Sequence, residues 1–135
     1  MAFVADTRVF VTIDRQQGTI NDVLAFTDES ELAIASITAS ELLAGVILSA
    51  AGARRQRREA FVTSVLGTVS ILPLDLNVAR IQAELWADLQ SRGLMIGRHD
   101  LIIAATAVAH GLTVLKHNVR EFDRVPGPIV QRAEF

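Results

Sequence analysis

The sequence predicts an α/β fold in which a central, mostly parallel sheet of four to five strands is flanked by helices. Short apolar segments alternate along the chain with longer segments whose apolar residues recur every three or four positions, the spacing of an amphipathic helix. The short segments are apolar throughout, which is typical of parallel strands buried on both faces. Together these observations favour a layer of strands between two layers of helices.

The N-terminal half of the chain is expected to contain two strands and four helices. The strands are predicted at residues 3–5 and 32–36, and the helices at 7–15, 20–26, 38–50 and 53–65. Thr38 or Ser40 is the expected N-cap of the third helix, because a hydroxyl there can accept a hydrogen bond from the first turn. The polar run at 27–30 is predicted to be a turn.

The C-terminal half is expected to contain three strands and two long helices. The strands are predicted at residues 69–74, 112–115 and 129–130, and the helices at 75–93 and 100–110, with a short helical turn at 118–122. Pro73 suits the end of a strand, because proline has no N–H to donate to a neighbouring strand. Gly111 is predicted to end its helix in the left-handed conformation.

Length and composition predict a single domain covering residues 1–135. The chain contains no cysteine, which excludes disulfides, thiolate zinc sites and cysteine nucleophiles. The formal net charge of −2 argues against a protein that holds nucleic acid by bulk charge alone. No apolar run approaches the ~20 residues of a membrane span, and the start does not resemble a signal peptide. We therefore expect a soluble, cytoplasmic protein with no membrane partner.

Four polar residues fall near the predicted carboxyl ends of the strands. Asp6 ends the first strand, and Asn118 lies just past the fourth. Glu41 is on the helix after the second strand, and Asp100 opens the helix before the fourth. Sites in parallel sheets form at this edge, so we expect the four side chains to converge. Several carboxylates in one cleft suit Mg²⁺ or Mn²⁺, and such an ion can activate water for hydrolysis of a phosphodiester.

Each of these residues also has a purely structural interpretation. Asp6 and Asp100 could simply cap helices, where the macrodipole favours a negative charge by about 0.3–1 kcal/mol. Glu41 could be a solvated helix residue, and Asn118 a turn residue. Glu121, which stands beside an arginine, could form only a surface ion pair worth under about 1 kcal/mol.

The chain as a whole resembles the PIN-domain ribonucleases, specifically the VapC-type toxins of bacterial type II toxin–antitoxin pairs. The resemblance covers nearly the whole length and lies in VADT at 4–7, ITASELLAGV at 37–46, LPLD at 72–75, IGRHDLIIAATAVAHGL at 96–112 and NVREFDRVPG at 118–127. It implies a three-layer PIN-like, Rossmann-like fold. It also implies a Mg²⁺- or Mn²⁺-dependent endonuclease that hydrolyses RNA, whether tRNA, ribosomal RNA or mRNA.

By this resemblance Asp6, Glu41 and Asp100 match the metal-coordinating acids of the family. Asn118 stands at the family's fourth position, which is Asp or Asn, and Glu121 is a weaker candidate ligand of the same metal. The resemblance further implies a small VapB-like antitoxin, a hetero-oligomer with it, and a homodimer of the chain itself.

Two residues depart from the family's pattern. Lys116 stands where Thr or Ser usually supplies a hydroxyl, and Arg8 stands where Asn or Ser is common. A positive charge near the acids competes with a metal ion, and the fourth position is Asn, so one firmly held ion is expected rather than two. Lys116, Arg8 and Arg98 are the predicted substrate-binding residues, because each could contact a phosphate of the RNA.

Other polar residues carry weaker indications of function. The arginines at 54, 55, 57 and 58 are typical of a solvated helix face, with RNA contact as the alternative. The three histidines show no HExxH or other paired metal-binding spacing, and His99 is not expected to act as a general acid.

The antitoxin is expected to lie across exposed apolar residues of the third and fourth helices and to obstruct the acids. The residues predicted to form that surface are Leu42, Leu43, Val46, Ile47, Val62 and Leu66. Two other functions remain open. One is a PIN nuclease of RNA processing with no antitoxin, and the other is a degenerate PIN module that binds RNA or a partner without turnover.

Overall fold

The computed structural model describes residues 2–27 and 31–135. Within these residues the chain forms a five-stranded sheet. Its strands are β1 (Phe3–Ala5), β2 (Leu32–Ala35), β3 (Ser70–Leu72), β4 (Thr113–Lys116) and β5 (Ile129–Arg132). Each overlaps a predicted strand, whereas the predicted turn at 27–30 lies, apart from its first residue, outside the described residues.

All neighbouring strands of the sheet are parallel. Their order is β3-β2-β1-β4-β5, with Val4 of β1 aligned with Ala33 of β2 on one side and Val114 of β4 on the other. The predicted parallel α/β sheet is therefore confirmed. Because every strand runs in the same direction, all carboxyl ends meet at one edge, where residues following β1 and β4 come close together.

Helices cover the sheet on both faces. In the described residues these are α1 (Thr7–Arg15), α2 (Ile20–Phe26), α3 (Ser36–Leu48), α4 (Ala53–Thr68), α5 (Leu76–Ser91) and α6 (Arg98–His110), with a 3-10 helix at Arg120–Arg124. Both α1 and α2 have the predicted bounds, and Gly111 ends α6 with φ of 64°, as predicted. A helix with the length and hydropathy of a bilayer-crossing segment does not occur among residues 2–27 and 31–135.

The predicted N-cap of α3 is wrong. The helix begins at Ser36, directly after β2, and Ala35 occupies the N-cap position. Thr38 therefore lies inside the first turn, where it is fully buried and its hydroxyl has no hydrogen-bond partner in the described part of the chain. Strand and helix are joined without a loop, so no polar residue was needed to mark the boundary.

The strand side chains alternate between two hydrophobic clusters, one on each face of the sheet. Phe3 and Ala5 belong to a first cluster with residues of α1 to α4, and Val4 belongs to a second with residues of α5 and α6. Seven consecutive residues of α6, from Leu101 to Ala107, are buried. Because fully burying a large aliphatic side chain contributes about 1.5–3 kcal/mol, this packing fixes the start of α6 at the carboxyl edge of the sheet.

The apolar surface predicted on α3 and α4 is only partly exposed. Four of its six residues pack against the first cluster, fully or in part, and for these the prediction is wrong: Leu42, Val46, Val62 and Leu66. The reason is that α3 and α4 turn these residues toward the sheet and toward each other. Leu43 and Ile47 are exposed, at 47% and 68% of their surface.

Candidate active site

Asp6 lies at the carboxyl end of β1, at the centre of the sheet. Its backbone N–H donates to the carbonyl oxygen of Leu115 in β4 at 2.9 Å, which extends the β1–β4 ladder past the end of the strand. Asp6 occupies the N-cap position of α1, but its carboxylate accepts no capping hydrogen bond from the backbone N–H of Arg8 or Val9. The helix-cap interpretation therefore does not account for this side chain, which lines a cavity instead.

Glu41 reaches the same cavity from the second turn of α3. Its Oε1 accepts a hydrogen bond from the Thr7 hydroxyl at 2.7 Å, and its Oε2 lies 3.0 Å from Nδ1 of His99. Thr7 begins α1 and His99 is the second residue of α6. Glu41 thus connects three helices at the edge of the sheet and is not a freely solvated residue.

Asp100 is the third residue of α6, and Gly97 occupies the N-cap position of that helix. The nearest charged partner of Asp100 is Lys116 at the end of β4, whose Nζ lies 3.4 Å from Oδ1. Lys116 is only 5% exposed, and its Nζ also lies 4.2 Å from the centroid of the Phe122 ring. The ammonium of the only lysine in the chain is therefore held among the acids.

One cavity of about 790 Å³ brings together every residue predicted for the site. Its lining includes Asp6, Arg8, Glu41, Arg98, Asp100, Lys116, Asn118 and Glu121. The amide oxygen of Asn118 accepts a hydrogen bond from the backbone N–H of Arg120 at 3.2 Å, so this residue serves the local turn as well. Acids and bases from β1, α3, α6 and β4 thus share one polar cleft at the carboxyl edge.

Burial raises the pKa of the Asp6 carboxyl above its ordinary value of 3.8, because desolvation disfavours the charged form. The ammonium of Lys116 lowers this pKa, the carboxylate of Asp100 raises it, the backbone N–H of Thr7 lowers it, and Glu41 raises it slightly. Asp6 is therefore in electrostatic contact with both other acids and with the lysine. A cation in the cleft would favour the charged form of Asp6.

This pKa shift predicts that Asp6→Asn stabilises the protein in the presence of EDTA. Since the folded pKa of Asp6 lies above the unfolded value, its favourable contribution is complete below the unfolded pKa and is lost as the pH rises through the folded pKa. The gain of the variant in free energy of unfolding should thus be small near pH 4 and largest near neutrality. Urea unfolding at several pH values measures it, and a gain that is independent of pH would contradict the account.

The donor set fits a divalent cation in its chemistry. Carboxylate oxygens are the ligands that Mg²⁺ and Mn²⁺ prefer. The carboxylates of Asp100 and Glu41 also repel that of Asp6. As placed, however, no three His, Asp or Glu side chains of residues 2–27 and 31–135 are grouped closely enough to hold an ion. Two of the three acids have other partners here, since Glu41 contacts Thr7 and His99 and Asp100 contacts Lys116.

The sequence did not predict the contacts that Thr7 and His99 make with Glu41. The only signal was adjacency, because Thr7 follows Asp6 and His99 precedes Asp100. Arg15 and His117 also line the cleft without having been predicted there. Their positions depend on how α1 and β4 lie relative to α3, which spacing along the chain does not determine.

Comparison with known proteins shows which family this chain is similar to. The model of the PIN domain matches residues 3–128. The chain is 30% identical to "Ribonuclease VapC1" of Rickettsia felis, with 94% of this chain and 92% of the relative covered. It is 35% identical to "tRNA(fMet)-specific endonuclease VapC" of Salmonella typhimurium, with 73% of this chain and 72% of the relative covered.

Comparison with solved structures also finds VapBC proteins similar to this chain. A structure of VapBC2 from Rickettsia felis bound to a promoter DNA fragment contains a chain with a TM-score of 0.86 and 26% identity. The similarity covers 99% of this chain and all of that one.

Proposed function

The chain belongs to the PIN-domain family, among its VapC ribonucleases, and from that premise we propose that Asp6, Glu41 and Asp100 form the metal site of a toxin endoribonuclease. The toxin hydrolyses phosphodiester bonds in RNA, and its activity is metal-dependent as in other PIN-domain ribonucleases. The observation that carries the proposed site is the single cleft at the carboxyl edge of the sheet, which the acids of β1, α3 and α6 all line.

Asp6, Glu41 and Asp100 would hold Mg²⁺ or Mn²⁺, with the amide oxygen of Asn118 as a further ligand and Glu121 as a weaker one. A bound ion would supply activation of a water molecule and would offset the negative charge that develops on the phosphate. The hydroxyl of Thr7 fixes one oxygen of Glu41, and thereby orients the other toward the cleft. His99, which contacts that second oxygen, would give it up to the ion.

Three basic residues of the cleft would hold the RNA. Arg8 and Arg98 are exposed at its rim, where a guanidinium can bind a phosphate through two parallel hydrogen bonds. Lys116 would move from Asp100 to the substrate phosphate when the ion binds. The substrate class is structured RNA, and tRNA is favoured because two relatives are named tRNA(fMet)-specific endonucleases.

We also propose a small VapB-like antitoxin as the partner, in a hetero-oligomer built on a homodimer of this chain. Similar structures are complexes of VapC-type toxins with their antitoxins. The exposed residues Leu43, Ile47 and Leu48 of α3 form the apolar part of the proposed antitoxin surface, in place of the buried residues predicted from the sequence. We propose that the chain meets both the RNA substrate and the antitoxin in the cytoplasm. We also propose that it acts as a single domain.

The proposed antitoxin surface can be tested by substitutions on α3. Leu43→Asp together with Ile47→Asp is expected to weaken the complex with the antitoxin at least about 100-fold, the effect of losing roughly 2.7 kcal/mol at an interface. RNA cleavage by the isolated toxin should be unchanged. Leu76→Asp, at a leucine of α5 about as exposed as Ile47, is the matched control. Copurification from cells that express both proteins measures the effect, and equal recovery of all variants would contradict it.

One observation favours a second function, that of an RNA-binding module without turnover. Lys116 is held 3.4 Å from Asp100, where an ammonium opposes the binding of a cation. Such a module would bind RNA equally well with Mn²⁺ and with EDTA, and it would not cut it.

Cleavage mapping tests the proposed function directly. The 5′ ends of cellular transcripts are sequenced after brief expression of the protein and of its Asp100→Asn variant. We expect new 5′ ends at a few RNA sites with the natural sequence alone. Identical patterns for both proteins would show that the cleft is not the catalytic site.

A further inference from the structure

A second cavity, of about 370 Å³, lies where the end of α1 faces the start of α4. Its lining includes Arg15 from α1 and Arg54, Arg57 and Arg58 from α4, with Asp14 as the only acid. Four guanidiniums and one carboxylate give this lining a charge of +3, in a chain whose net charge is −2. We call it the arginine cavity.

The helical spacing of α4 concentrates its arginines on one face. Arg54, Arg57 and Arg58 are three and four residues apart and share a side of the helix, whereas Arg55 does not line the cavity. Arg58 is anchored, because its Nε lies 3.2 Å from Oδ2 of Asp14 and its Nη1 donates to Oγ of Ser49 at 2.8 Å.

The other arginines of the cavity are available to a ligand. Arg15, Arg54 and Arg57 are exposed, and none forms an ion pair with an acid in residues 2–27 and 31–135. Like charges that line one cavity repel one another, and an anion between them would offset that repulsion. The geometry therefore provides an anion site with three available guanidiniums and a fourth fixed in position.

Arg15 connects the arginine cavity with the catalytic cleft, because it lines both. Thr7 and Arg15 are the two ends of α1, so they are separated by about 12 Å along the helix axis at 1.5 Å per residue. An RNA strand that leaves the acids along α1 would meet the arginine cavity next.

We propose that the arginine cavity is a phosphate-binding subsite for the RNA backbone outside the catalytic cleft, a proposal that rests on RNA being the substrate. Guanidiniums match phosphate oxygens with two parallel hydrogen bonds, and such contacts position the RNA without reading its bases. An acidic segment of a protein partner fits less well, because the core of a protein interface is apolar and Phe61 is the only large apolar residue in this lining.

The test measures RNA binding and not cleavage, in the Asp100→Asn protein with Mg²⁺ present. The probe is a fluorescent oligouridylate of about 20 nucleotides, long enough to exceed common single-strand site sizes. The cavity variant carries Arg54→Gln and Arg57→Gln. The control carries Arg55→Gln and Arg80→Gln, which remove the same charge from exposed or half-buried arginines outside the cavity. Thermal unfolding confirms that both double variants are folded.

We expect the cavity variant to bind the RNA about tenfold more weakly or worse. Its slope of log K against log salt should be shallower by up to about 1.4, because each phosphate contact on a single strand contributes about 0.7. The control should keep the affinity and slope of its parent. Equal losses in both double variants would overturn the proposal. So would unchanged RNA binding by the cavity variant, and a weakened antitoxin complex in the same variant would then assign the cavity to a protein interface.

Failure of this subsite and failure of the proposed catalytic function are distinguishable. If the natural protein cuts no RNA but the cavity variant still loses affinity for the probe, the subsite stands and the catalytic proposal falls. If RNA is cut but the two double variants bind alike, the catalytic proposal stands and the subsite falls.

Discussion

Asp100→Asn is expected to lower the rate of RNA cleavage at least about 100-fold, because it removes a full charge from the proposed metal site, whose cation would supply several kcal/mol to the transition state. It also leaves the ammonium of Lys116, 3.4 Å away in the natural protein, without its partner, which opposes the cation further. Single-turnover cleavage of a transcribed tRNA with Mn²⁺ measures the effect.

The matched control for this loss is Asp123→Asn, at an exposed aspartate that does not line the cleft. It should cleave at the rate of the natural protein. Circular dichroism and thermal unfolding establish that the Asp100 variant is folded. Residual cleavage within a few-fold of the natural rate would mean that Asp100 does not serve the reaction.

Lys116→Thr is expected to tighten the binding of Mn²⁺ at least about tenfold. A unit charge removed from within a few ångströms of a divalent ion changes its binding by more than about 1.4 kcal/mol, even at the dielectric constant of water. The substitution also introduces the hydroxyl that the resemblance to the family leads us to expect at this position. Calorimetric titration of the natural protein and the variant with MnCl₂ measures the change.

Lys116→Arg is the control for the charge, because it keeps a cation next to Asp100 and should not tighten Mn²⁺ binding. If Lys116→Thr leaves the affinity for Mn²⁺ unchanged and weakens only RNA binding, the lysine does not compete with the metal. Its place among the acids would then reflect a phosphate contact alone.

The regular elements of this fold were predictable because each depends on local pattern. The bounds of α1 and α2 follow directly from their apolar spacing, and Gly111 ends α6 because a left-handed residue is needed there. The N-cap of α3 was not predictable in this way. Ala35 passes from strand to helix without a loop, and Thr38, which was expected to mark the boundary, lies buried inside the first turn of the helix.

The meeting of the acids was also predictable, because parallel strands bring their carboxyl ends to one edge. The partners of these acids were not. Lys116 reaches Asp100, and His99 reaches Glu41, through side-chain placements that depend on the packing of separate helices and strands. The prediction of an exposed apolar surface on α3 and α4 was partly wrong for a similar reason. The sequence shows that a residue is apolar, but it does not show whether that residue faces a neighbouring helix or water.

The position of a bound metal tests the central claim most directly. Crystals of the protein are grown with MnCl₂, and the anomalous difference map is calculated at a wavelength where manganese scatters anomalously. The account predicts a manganese ion in the cleft, coordinated by carboxylate oxygens of Asp6 and Asp100, with Lys116 displaced from Asp100. Manganese bound elsewhere, with Lys116 still paired to Asp100, would contradict it.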